Sequence, residues 1–297
     1  MTVEATSDDP FVEHRGLLFT VAYQMLGSAA DAEDVVQETW LRWTDLGGAG
    51  RDQVRDPRAY LGRVVTRQAL NRLRTLSRRR EDYVGEWLPE PLLTSPDVAE
   101  DVELAESVSI AMLTVLETLG PTERAVFVLR EVFDVPYDEI AESVDKSPEA
   151  VRQIAHRARQ HVSARRPRTP VSRTEQQQVV ERFLAAVNSG DLQGLMDVLA
   201  PDVVAVADGG GLAQAIRHPV QGVERVAAFL SHIPKRAPGV KLATLLVNGS
   251  VAVRIDPDGE FDTVLTFALE DRRISRIYAM RNPHKLGRLQ QVADLRR

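Results

Sequence analysis

Apolar residues in the first 166 positions recur three or four apart, the spacing that lays one stripe along a helix. Over residues 26–43 the stripe is Ala32, Val35, Val36, Thr39, Trp40 and Trp43. Asp31, Glu33, Asp34, Gln37 and Glu38 fall outside it, and acids in a first turn suit the helix dipole. Residues 58–80 repeat the pattern with Tyr60, Leu61, Val64, Val65, Ala69, Leu73 and Leu76 inward. Arg63, Arg67, Asn71, Arg74, Arg78, Arg79 and Arg80 are left outward. At 136–162 two short helices follow each other. Ile140, Ala141 and Val144 line the first, a turn spans Val144 to Lys146, and Ser147 with Pro148 supplies an N-cap followed by proline at the first helical position. Val151, Ile154, Ala155, Ala158 and Val162 line the second.

Proline divides these segments. Pro89, Pro91 and Pro96 predict an extended linker over 81–100, and Pro167 with Pro170 predicts a tether at 167–174. A helix over 175–189 carries Val179, Val180, Phe183, Leu184 and Val187 on one face, and Gly190 and Asp191 supply a C-cap and the next N-cap. Alternation with period two then takes over at 203–207, 240–247, 250–255, 260–270 and 273–281, around a short helix at 223–230. The expected fold is multidomain: an all-α domain at 8–80, a linker at 81–100, a second all-α domain with a helix-turn-helix at 101–166, an α+β domain at 175–286 and a tail at 287–297.

Composition sharpens this picture in two places. The chain has 297 residues and no cysteine, which excludes disulfides, thiolate metal sites and thiol nucleophiles. The start, MTVEATSDDP, lacks a basic and apolar leader, and no apolar run approaches a membrane span, so the expectation is a cytoplasmic protein with no membrane partner. The formal charge of −6 conceals segregation. Residues 51–80 hold ten Arg and two Asp, residues 81–106 hold nine acids and no base, and residues 146–173 hold eight bases and one acid. A net acid therefore carries two basic blocks separated by an acidic one, and net charge alone misleads about nucleic acid.

The second helix of the pair turns Arg152, Gln153, His156, Arg157, Arg159 and Gln160 outward, next to Lys146 and Ser147 of the turn. Such a face suits the major groove, where Arg donates two bonds to guanine and Gln pairs with adenine. The Arg-rich helix at 58–80 is a candidate phosphate-tracking and single-strand surface.

Together these segments resemble the extracytoplasmic-function sigma factors of bacterial RNA polymerase. DAEDVVQETWLR resembles the helix that such factors dock on the clamp coiled coil of the core enzyme, which implicates Asp31, Glu33, Asp34, Gln37, Glu38, Trp40 and Arg42 in core binding. The Arg-rich helix resembles the element that melts and reads the minus-ten region. Residues 119–160 resemble the domain that reads the minus-thirty-five element, and the resemblance implies the polymerase flap as a further contact. Many members carry Asn and Asp where this helix has Arg67 and Asn71, so their minus-ten preference does not transfer, and the turn often made by Gly is Asp145 here. Three further motifs resemble the subgroup with a C-terminal SnoaL-like, cone-shaped α+β domain: Trp87, Leu88, Pro89, Glu90, Pro91 and Leu92; Asp208, Gly209, Gly210 and Gly211; and Asn282, Pro283, His284, Lys285 and Leu286. The resemblance implies that this domain modulates activity through the linker, in place of a separate anti-sigma factor. The linker motif is expected to dock near the other two.

Two competing readings remain open on the sequence. One is a ligand-responsive helix-turn-helix regulator, which needs neither the acidic helix face nor the Arg-rich helix. The other is a sigma factor whose C-terminal domain binds or converts a small molecule, with Asp208, His218, His232, Arg254 and Asp262 as polar candidates. No cofactor or metal is expected, and no catalytic residue is assigned.

Overall fold

The computed structural model describes residues 9–80, 83–165, 171–232, 240–257 and 262–297, with the backbone alone for 77–80. The side chains of Arg78, Arg79 and Arg80, the acids Glu81 and Asp82, residues 167–170 of the tether and the first residues of the strand expected at 260–270 lie outside the described residues. In chain order, the first helices are α1 (Pro10–Leu26), α2 (Ala29–Asp45), α3 (Gly47–Asp52) and α4 (Pro57–Arg80). Strand β1 (Leu93–Thr94) precedes α5 (Pro96–Glu100), α6 (Val102–Val108), α7 (Ile110–Leu116), α8 (Pro121–Phe127), α9 (Tyr137–Val144) and α10 (Pro148–Ser163). Then come α11 (Arg173–Ser189), α12 (Leu192–Val198), β2 (Leu199–Asp208), β3 (Val220–Gln221), α13 (Val223–Ser231), β4 (Lys241–Val247) and β5 (Ser250–Asp256). β6 (Thr263–Glu270), β7 (Arg273–Met280), α14 (Pro283–Leu286) and β8 (Val292–Ala293) close the chain. It divides into two compact units, Met1–Glu81 with Leu113–Arg165 and Asp294–Arg297, and Asp82–Met112 with Arg166–Ala293. No helix among the described residues is long and apolar enough to cross a membrane.

The first unit is built around α1. Every residue from Leu18 to Leu26 is buried, because a helix apolar on all sides has to be covered on all sides. α2 and α4 pack on it. Asp9 caps α1 through Phe11 N (2.9 Å) and also accepts from Trp43 Nε1 (3.0 Å) and Arg51 (3.1 Å), which ties the ends of three helices together. α8 carries Arg124 into the interior, where Nε donates to Gln24 O at 2.9 Å and the guanidinium pairs with Glu117. Burial pushes the Arg124 guanidinium down to about 9, which leaves it charged at neutral pH. α8 continues as a π-helical turn, Val128–Val132, before α9 and α10. α4 packs against both α8 and α9.

The second unit is one eight-stranded sheet, in the order β3-β2-β7-β6-β5-β4-β1-β8. Pairing is antiparallel except for β2 with β7 and β1 with β8. α11, α12 and α13 contribute Phe183, Leu195, Val226 and Leu230 to a core against Val253, Phe267 and Ile277. Phe183 meets Phe267 edge-on with centroids 5.2 Å apart. The strands expected at 203–207, 240–247, 250–255 and 273–281 are all present.

Residues 81–100 differ from the extended linker expected. Leu93 and Thr94 form a strand, and α5 starts at Pro96, a residue whose fixed φ suits a first helical turn. Residues 101–112, expected with the second helical domain, belong to the second unit. Tyr60, Val64, Leu76 and Trp40 are half-buried rather than interior, and Trp40 meets Phe11 at a tilt with ring centroids 4.9 Å apart.

Candidate functional site

The helix-turn-helix forms as the local signals require. Asp145 takes the left-handed conformation at the end of α9 (φ 57°), and Ser147 Oγ accepts from Ala150 N at 3.3 Å to cap α10. Val151, Ile154, Ala155, Ala158 and Val162 are buried, while Lys146, Ser147, Arg152, Gln153, His156, Arg157, Arg159 and Gln160 are exposed. Arg159 donates through Nε (3.2 Å) and Nη2 (2.8 Å) to Glu131 on the π-helical turn. The Arg152 guanidinium lies over the Tyr137 ring at 5.7 Å, with Arg130 at 4.9 Å from the same ring.

On α4, Arg67, Asn71 and Arg74 are exposed and Arg63 is half-buried. Arg67 donates to Glu142 O on α9 at 2.7 Å, and Arg63 stands 3.9 Å from the Glu142 carboxylate. The basic face of α4 is thus partly engaged by the first helix of the helix-turn-helix.

The acidic face of α2 is less uniform than its sequence. Arg72 of α4 reaches Asp31 and Asp34 at 2.7 and 2.8 Å, and Arg15 reaches Glu33 at 2.7 Å. The hydrogen bond that Arg72 donates to Asp31 raises its guanidinium above the ordinary value despite partial burial. Gln37, Glu38 and Arg42 are exposed, and so is Leu41, 53% accessible one turn beyond Glu38. Sequence reasoning missed both Leu41 and Arg72. Leu41 was visible as the one apolar residue interrupting the polar side of α2, whereas the pairing of Arg72 depends on how α4 crosses α2.

The second unit gathers the three remaining motifs at one place. Asp208, at the end of β2, is fully buried. Its Oδ1 accepts from Tyr83 Oη (2.7 Å) and Gly210 N (3.0 Å), and its Oδ2 from Leu88 N (2.9 Å) and Lys285 Nζ (2.7 Å). Lys285 also donates to Leu88 O and lies 4.1 Å from the Trp87 ring centroid. Asn282 caps α14 through His284 N (3.0 Å) while donating to Tyr83 Oη (2.8 Å). A Cβ on Gly210 would stand 2.3 Å from Asn282 Nδ2, so only glycine lets the turn after Asp208 approach. Leu88, Pro89, Glu90, Pro91 and Leu92 are buried, and Arg288 approaches Glu90 at 3.7 Å. Gly209 is buried, Gly211 exposed beside Val84, Leu286 buried, and Pro283 and His284 exposed.

A second attachment lies at the β4–β5 turn. Asn248 Oδ1 accepts from Leu92 N (2.8 Å), its Nδ2 donates to Val108 O (2.7 Å), and Gly249 N donates to Thr94 Oγ1 (3.0 Å). A Cβ on Gly249 would press to 2.7 Å against Ala105. Neither Asn248 nor Thr94 stood out in the sequence, because each acts on residues some 150 positions away.

The polar candidates of the C-terminal domain do not converge. Asp208 is committed to the linker, Asp262 pairs with Arg281 (2.7 Å), Arg254 with Asp256 (2.7 Å), His232 Nδ1 sits 2.6 Å from Ala228 O, and His218 is exposed. Among the described residues no three His, Asp or Glu side chains cluster as metal ligands would. The outer side of α11 carries an open cleft of about 690 Å³ rimmed by Glu175, Arg182 and Arg272.

Comparison with known proteins supplies three family matches: Sigma-70 region 2 over residues 11–79, Sigma-70, region 4 over 109–162, and SnoaL-like domain over 180–277. The chain is 40% identical over 242 residues to the ECF RNA polymerase sigma factor SigJ of Mycobacterium tuberculosis, covering 79% of this chain and 76% of that protein. It is 33% identical over 281 residues to the Probable ECF RNA polymerase sigma factor SigI of the same species, covering 93% of each. The crystal structure of Mycobacterium tuberculosis SigJ superposes with a TM-score of 0.75 at 35% identity, over 93% of this chain and 96% of that one.

Proposed function

Because the chain belongs to the extracytoplasmic-function RNA polymerase sigma factors, carrying sigma regions 2 and 4 and a SnoaL-like domain, we infer that this last domain restrains the factor by holding its linker. As a sigma factor it binds core RNA polymerase and directs transcription from specific promoters. The observation that carries the restraint is the Asp208–Lys285 pair, buried and hydrogen-bonded to both the side-chain and main-chain groups of 83–88. Held in this way, residues 83–94 are built into the C-terminal domain and are withheld from the polymerase channel, where their charge would imitate nucleic acid. α2 presents Gln37, Glu38, Leu41 and Arg42 to the clamp coiled coil, with Asp31, Glu33 and Asp34 shaping its edge and Trp40 supporting it. α10 reads the minus-thirty-five element beside the flap, and Arg63, Arg67, Asn71 and Arg74 of α4 meet the minus-ten strand. The domain works in cis, in the cytoplasm, without a separate anti-sigma factor, and as a holding module rather than a catalyst: among the described residues Asp208, Asp262, Arg254 and His232 are engaged in internal contacts and, with exposed His218, do not converge on a cavity.

The test is transcription reconstituted with purified core polymerase. Asp208→Asn removes the counter-charge of a nearly buried ammonium, which costs roughly 3–5 kcal/mol of docking stability. The variant is expected to assemble with core at a concentration at least about tenfold lower than the wild type. Unchanged or weaker assembly disproves restraint, whereas absence of promoter-specific initiation by the wild-type holoenzyme would remove the sigma reading itself.

A further inference from the structure

The outward face of α10 is not one surface. At 100° per residue, the buried residues Val151, Ile154, Ala155, Ala158 and Val162 define an inward direction. Gln153 and Gln160 lie within about 20° of the opposite pole, and His156 and Arg157 within about 60° of it, whereas Arg152 and Arg159 stand roughly 90° away, on one flank. The contacts divide the helix along the same line. Arg159 has its Nε–Nη2 edge filled by Glu131, and Arg152 lies over Tyr137. The side chains of Gln153, Arg157 and Gln160 make no hydrogen bond or ion pair among the described residues. A guanidinium already matched by a carboxylate on its forked edge has lost the geometry that recognises guanine side-on, and its charge is largely compensated.

Resting on the minus-thirty-five reading of α10, we propose that Gln153 and Arg157 determine its base preference, while Arg152 and Arg159 are framework residues held by Tyr137 and Glu131. Arg157 has the chemistry for the O6 and N7 of guanine, and Gln153, two turns nearer the start of the helix than Gln160, that for N6 and N7 of adenine. Glu131 and Tyr137 act through the two framework arginines: the π-helical turn places Glu131 against α10, and the pair sets how α10 is held on α8 and α9.

The experiment is initiation by reconstituted holoenzyme, full-length chain with core polymerase, on a promoter pool randomised across the minus-thirty-five element. Arg157→Ala is expected to lower discrimination at one position by about tenfold or more, since a good bidentate pair separates bases by that order. Arg157→Lys, which keeps the charge but not the fork, loses the same discrimination. Gln153→Ala relaxes a different position. Arg159→Ala and Glu131→Gln lower initiation from every promoter by a similar factor of about two to five and leave the rank order of sequences unchanged. The proposal is overturned if Arg159→Ala or Glu131→Gln reorders the pool, or if Arg157→Ala does not. If the wild-type holoenzyme shows no preference at all, the reading of α10 fails instead, before any variant is compared.

Discussion

At the scale of residues, the linker is held by few groups with several duties each. Tyr83 donates to Asp208 and accepts from Asn282, Asn282 also caps α14, and Lys285 serves both the carboxylate and Leu88 O. Burial first, then the bond to Asp208, holds the Tyr83 hydroxyl above its ordinary value of 10.0. The docked state therefore keeps a proton that the released linker gives up. Its contribution is complete below pH 10 and disappears as pH rises further. A 5-fluorotryptophan label, with the Trp87 signal assigned by its loss in Trp87→Phe, should report release above pH 10. Lys285 faces the same carboxylate at 2.7 Å, and Tyr83→Phe isolates the part that belongs to the phenol: it should weaken the dock at neutral pH and flatten most of the alkaline response. An unaltered alkaline curve in Tyr83→Phe would show that the Tyr83 proton is not the source of the effect.

Elements differ in how far the sequence reveals them. The helix-turn-helix was legible because its determinants are local: an N-cap Ser147 before Pro148, and a buried stripe with period 3.6. The long strands of the C-terminal domain were legible through alternation. β1 and β8 were not, since two-residue strands carry no period and exist only through partners far along the chain, Leu93 beside both Val247 and Val292. The arrangement around Asp208 was reachable through family resemblance, but the Asn248 attachment was not. Asn248 (φ 53°) and Gly249 (φ 72°) form a turn whose side chain does additional work. Asn248→Gly keeps a residue that accepts positive φ and deletes only the bonds to Leu92 N and Val108 O. It should leave the β4–β5 hairpin intact, raise amide exchange at residues 92–94 about tenfold or more, and cost about 1–3 kcal/mol in urea unfolding. Equal exchange would mean that pairing with β4 and β8 retains the strand without the Asn248 side chain.

For the whole molecule, a charge of −6 proved a poor guide, since basic and acidic groups are segregated and partly matched internally. In the first unit Arg63 and Arg67 of α4 meet Glu142 of α9, so the helix proposed to meet the minus-ten strand packs against the first helix of the helix-turn-helix. On the proposed reading of both elements, α4 and α9 are expected to part when the factor engages a promoter. The absence of cysteine makes this testable without background. Arg67→Cys with Glu142→Cys, joined by a cleavable bismaleimide, should reduce promoter opening by about tenfold or more, with recovery after cleavage. Full activity while cross-linked would show that α4 and α9 stay together on the promoter.

The wide separation of dock partners also has a bearing in time. Tyr83 waits 125 residues for Asp208 and 199 for Asn282. At roughly 5–20 residues per second, a ribosome needs on the order of 10–40 s to supply the second of them. Both sigma regions, which end at residue 162, are synthesised before Asp208, the first of the residues that hold the linker. Under the restraint proposed above, each new molecule passes through an unrestrained stage once, at birth, and the rate of translation would govern how often polymerase meets it before the dock closes.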